Sequence, residues 1–94
     1  MNKIERHKEI CNTLNGIYQQ KNTAYGDSFG ETYRSLGIIS AVTRISDKFN
    51  RLKTLVRNTE IPQGDESIAD TLLDMANYCI MTYMELEADV NDKD

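Results

Sequence analysis

An all-α fold is predicted by three features of the chain. Its apolar residues recur at three- and four-residue steps over three long stretches. Its single proline and its glycines fall between those stretches or near their ends, apart from Gly16. Its composition, with one Pro and no Trp, is that of an ordinary globular chain tilted towards helix. At 94 residues there is room for one hydrophobic core and one domain, 1–94, with 89–94 expected to fray.

The first helix is expected over about Asn2 to Lys21, where Ile4, Cys11, Leu14 and Tyr18 mark one stripe with Ile10 and Ile17 beside it. His7 completes that stripe and is the only histidine, so it is read as a packed or partly exposed residue with no second histidine to share a metal. Periodicity then breaks at Asn22-Thr23-Ala24-Tyr25-Gly26-Asp27-Ser28-Phe29-Gly30, a run of turn-forming residues that reads as a loop. Its two aromatics suit either stacking on a base or plugging the end of a bundle. A short helical turn, Glu31 to Leu36, leads through Gly37 into the strongest helix, Ile38 to Arg57. There Ile38, Val42, Ile45, Phe49, Leu52 and Val56 form a heptad seam expected to face inward. Pro62 and Gly64 stop it. The last helix is expected from Asp65 or Glu66 to about Ala88, apolar over roughly half its circumference. Three long helices and one short one cannot cover so wide a face alone. Homo-oligomerisation, as a dimer or tetramer, is expected to complete the bundle.

The formal charge of −4 disfavours a polymeric nucleic acid as partner. No apolar run is long enough to span a bilayer and no signal-peptide core follows Met1 to Arg6, so a location in the cytoplasm of a bacterial host cell is expected. Cys11 and Cys79 lie on apolar stripes and read as buried, reduced thiols.

Polar chemistry gathers on two helices. Arg44, Asp47, Lys48 and Arg51 are spatial neighbours on the side left over by the seam, and Glu66, Asp70, Asp74 and Asn77 form an oxygen-bearing stripe on the last helix. Interhelical salt bridges explain both groups without a ligand. Alternatively, acids of this type beside a basic helix suit Mg²⁺, which takes one or two carboxylates and shares phosphate oxygens. There is no phosphate-binding glycine loop with its Lys-Ser/Thr, and one histidine supports no catalytic triad.

Three ordered motifs carry a family resemblance: Tyr25-Gly26-Asp27-Ser28-Phe29, the run Arg44 to Leu52, and the run Glu66 to Tyr78. Together they resemble the first nucleotide-modification-associated domain family of bacteria and their phages. More distantly, the arrangement is similar to MazG-like all-α pyrophosphohydrolases, which hold Mg²⁺ on a Glu-x-x-Glu and a Glu-x-x-Asp. Here Ser67-Ile68-Ala69-Asp70 keeps only the Asp of the second motif, and the first has no intact copy.

The resemblance implies a nucleotide ligand and, as one reading, a Mg²⁺-dependent (d)NTP pyrophosphohydrolase. In that reading Asp47 and Asp70 are catalytic; Asp47, Glu66, Asp70 and Asp74 hold metal; Arg44, Lys48 and Arg51 take phosphate; and Tyr25, Phe29 and Asn77 take the base. The other reading is a non-catalytic phage protein that sequesters a nucleotide-derived immune signal.

Overall fold

The computed structural model describes residues 2–58 and 67–92, and these form four helices with no strand among them. Helix α1 spans Lys3–Tyr25, α2 Ser28–Leu36, α3 Ile38–Arg57 and α4 Ile68–Asp92. Glu66 lies outside the described residues.

Local chemistry accounts for each boundary. The Asn2 side chain accepts from the Ile4 and Glu5 amides at 2.8 and 3.4 Å and caps α1. That helix runs one turn beyond the expected Lys21, because Asn22, Thr23 and Ala24 tolerate helix once the turn before them is made. It stops at Gly26, whose φ of 69° and ψ of −164° only glycine adopts readily. Asp27 then caps α2 by accepting from the Gly30 amide at 3.2 Å, so the expected loop shrinks to two residues. Gly37, with φ of 82°, ends α2 and begins α3. A reciprocal capping box starts α4: the Asp70 amide donates to Ser67 Oγ at 3.0 Å, and the Ser67 amide donates to Asp70 Oδ2 at 3.3 Å. Helix α4 continues to Asp92, so residues 89–92, expected as a frayed tail, are helical.

Phe29 of α2 stacks on Tyr78 and Arg34 reaches Glu85, so α2 sits beside the C-terminal half of α4. Since α2 leads directly into α3, α3 starts at that end and runs antiparallel to α4. The core between them is narrow: Leu14, Tyr33, Ala41, Leu55 and the hydroxyl-bearing Thr71 are buried. Thr71 donates to the Ser67 carbonyl at 2.8 Å, which satisfies its hydroxyl. Helix α1 is tied on by Asn77, whose Nδ2 donates to the Leu14 carbonyl at 3.1 Å. Its first half stands clear of the body, with every residue from Lys3 to Thr13 exposed.

Helix α3 is rotated from the expected orientation. Its buried side centres on Ala41, Lys48 and Leu55, whereas Val42, Phe49 and Val56 of the heptad seam are exposed. Lys48 and Arg51, expected outside, are half-buried. The seam marks the most apolar arc of α3, but the chain's own partners, α2 and α4, lie about 80° away, taking 100° per residue. Both cysteines, read as buried, are exposed free thiols: Cys11 lies on the half of α1 that stands clear of the body, and Cys79 on the open side of α4.

Candidate functional site

A cavity of about 280 Å³ opens between the C-terminal end of α1, the N-terminal end of α2 and the middle of the α3/α4 pair. Each helix presents residues to it at helical spacing. Helix α1 contributes Tyr18, Lys21, Asn22 and Tyr25, and α4 contributes Asp74, Asn77, Tyr78 and Met81, each set at steps of three, four and seven. Ser40 and Arg44, one turn apart, come from α3, and Asp27, Ser28 and Phe29 from the start of α2.

The floor is aromatic. Phe29 and Tyr78 stack with ring centroids 6.0 Å apart and planes 28° from parallel. Tyr18 and Tyr25 add further ring surface, Tyr25 as an exposed rim residue. Asn22 Nδ2 lies 3.5 Å from the Tyr18 hydroxyl as donor to acceptor.

Charge is arranged about one carboxylate. Asp74 pairs with Lys48 at 3.1 Å and with Lys21 at 3.7 Å, its side chain 31% exposed and that of Lys48 22%. Lys21 and Arg44 bring cationic groups to the wall itself, beside the Asp74 carboxylate. Asp27, the other wall carboxylate, lies 3.5 Å from Arg34, which also reaches Glu85 at 3.7 Å. The cavity therefore combines ring faces with cations at its edge in a chain that is acidic as a whole.

Of the residues singled out in the sequence, Tyr25, Phe29, Arg44, Asp74 and Asn77 meet at this cavity, and Lys48 reaches it through Asp74. Asp47, Arg51 and Asp70 are not on its wall. The Asp70 carboxylate accepts from the Ser67 hydroxyl at 2.9 Å and belongs to the start of α4. Among the described residues, no three His, Cys, Asp or Glu side chains lie close enough together to hold a metal ion. Two lysines already occupy the Asp74 carboxylate, so the described residues do not compose a multi-carboxylate Mg²⁺ site of their own. Tyr18, Lys21, Asn22, Asp27 and Tyr78 were not singled out as site residues. The signal for the first three was the spacing Tyr18-Lys21-Asn22-Tyr25, visible once α1 is carried through to Tyr25.

Fold and site together define a small helical domain with an aromatic, cation-edged cavity of small-ligand size. The family model described as nucleotide modification associated domain 1 matches residues 21–86, and the chain belongs to that family. The match takes in every wall residue except Tyr18. No curated protein and no solved structure matches the chain. Among the described residues, no helix is long and apolar enough to cross a membrane.

Proposed function

We propose that the chain is a nucleotide-binding domain whose ligand enters the α1–α4 cavity, working as a homo-oligomer. One observation carries the reading: stacked Phe29 and Tyr78 share a cavity with Lys21, Arg44 and the Lys48-supported Asp74. A nucleobase is a flat π-surface that stacks on such rings, and the phosphates of a nucleotide are anionic groups that such cations neutralise. The cavity volume fits a mononucleotide-sized ligand and no polymer. Asn77 spends its amide on the Leu14 carbonyl, which leaves its side-chain oxygen to accept from a base. Binding that returns the ligand intact is sequestration, the reading that the crowded Asp74 favours.

Pyrophosphohydrolysis is the second reading. The family's description and the two wall carboxylates, Asp27 and Asp74, favour it.

A thermal-shift panel of nucleoside mono-, di- and triphosphates and cyclic nucleotides, with and without Mg²⁺, tests both readings. At least one nucleotide should raise the melting temperature of the wild type and leave that of Arg44→Ala and Phe29→Ala unmoved. A panel that moves nothing contradicts nucleotide binding. Pyrophosphate released from the bound triphosphate decides for hydrolysis, and intact recovered ligand decides for sequestration.

A further inference from the structure

Opposite the cavity, the α3/α4 pair carries an apolar layer that is open among the described residues, apart from the Lys53 ammonium 5.1 Å from the Phe49 ring centre. On α3 it consists of Ile38, Val42, Phe49 and Val56, 46 to 59% exposed. On α4, Ile68, Leu72, Tyr83, Leu86 and Val90 are 36 to 62% exposed, with exposed Cys79 among them. Both rows keep the three- and four-residue steps of a coiled-coil seam. Each row lies to the same rotational side of its helix's buried arc, and in an antiparallel pair that puts both on one face. No charged side chain interrupts the α4 row. The acids Asp74, Glu85 and Asp89 instead lie on the other side of α4, half-buried.

We infer that this face binds a second copy of the chain, two α3/α4 layers closing into a four-helix bundle with both cavities facing outward. The argument for a second copy is one of area. The chain exposes 7220 Å², whereas a compact monomer of 10.8 kDa exposes about 5,500 Å². Its radius of gyration is 15.2 Å, against about 12 Å for a compact domain of its length. That surplus of about 1,700 Å² belongs to the whole chain, the free half of α1 included. The apolar part of it gathered on one face is this layer of side chains 36 to 62% exposed, where the roughly 800 Å² that each partner gives to a stable interface would come from. A flat two-helix layer with heptad spacing is self-complementary under a two-fold axis. Between two copies that are each acidic, a stripe whose side chains carry no acid is where contact avoids like-charge repulsion, and the charged group over Phe49 is the cationic Lys53.

The inference does not depend on the nucleotide reading, since cavity and layer share no residue. Sedimentation and light scattering on the full chain should give twice the chain mass of 10.8 kDa. Phe49→Glu and Leu72→Glu should each halve the measured mass, whereas Arg44→Ala on the cavity side leaves it unchanged. If a charged variant does not fold, the wild type still decides: the melting temperature of a dimer rises with protein concentration and that of a monomer does not. A wild type at the single-chain mass with a concentration-independent melting temperature overturns the inference. So does a dimer that both charged variants leave intact.

Discussion

The two sides of the α3/α4 pair differ in an instructive way. One bears Arg44, Lys48, Asp74 and Tyr78 beside α1 and α2, and is largely polar though partly covered by the chain, with Arg44 exposed at its edge. The other bears Val42, Phe49, Leu72 and Tyr83, and is apolar though open to solvent. In most small domains the apolar side is the enclosed one. The inversion shows that the most apolar arc of a helix need not be the arc that its own chain covers.

The sharpest way to break this comparison is to truncate one residue from each side of the same helix turn. Leu55, 1% exposed, sits in the enclosed core, and Leu55→Ala should reduce the unfolding free energy by about 2–5 kcal/mol in urea titration. Its neighbour Val56 is open, so Val56→Ala should leave dilute protein within about 0.5 kcal/mol of wild type and weaken self-association instead. Equal losses at both positions would erase the distinction.

A smaller effect is expected at Gly30, where a Cβ would collide with the Asp27 and Glu85 carboxylates. Gly30→Ala should cost about 1–3 kcal/mol, since the Asp27 cap on α2 must shift. An unchanged melting temperature would show that Asp27 is free to give way.

The start of α4 should contribute less again. Ser67→Ala, which removes half of a reciprocal cap, should lower stability by about 1 kcal/mol. Asp70→Asn should lower it in the same direction and spare nucleotide affinity; a loss of affinity would move Asp70 back among the ligand-contacting residues.

The least effect is confined to alkaline pH. Burial first, then a hydrogen bond to Asp89 and the charges of Asp89 and Glu85, raise the Tyr33 phenol above its ordinary value of 10.0. A raised folded-state value means that the stability held by the neutral phenol is complete below pH 10 and lost as pH climbs through the folded value. In an ultraviolet titration one of the five tyrosines should ionise last, and Tyr33→Phe should remove that phase. All five ionising together would contradict the assignment.

Much of the fold was legible because helix periodicity and helix punctuation are both local. Ile38–Arg57 matches the expected helix end to end, since glycine before it and Pro62 with Gly64 after it fix its limits. The run from Asn22 to Gly30 misled because its turn-forming residues are divided between two helix ends: Gly26 stops one helix and Asp27 caps the next. Phe29, Asn77, Arg44 and Asp74 were legible as chemistry, but their meeting with Lys21 and Tyr18 was not. It depends on how α1 crosses α4, which is fixed by a contact as particular as Asn77 on the Leu14 carbonyl. Asp47 and Arg51 share Arg44's side of α3 but lie about one and two turns further along it, past the cavity, whose extent is set by neighbouring helices and is absent from the sequence of α3.

The central claim is that ligand recognition belongs to the polar, partly covered side of the pair, and a nucleotide titration followed by amide chemical shifts tests it most directly. Shifts should cluster on Tyr18, Lys21, Phe29, Arg44, Asn77 and Tyr78 and spare Val42, Phe49, Leu72 and Val90. Shifts concentrated on the second group, or none with any nucleotide, would contradict the account.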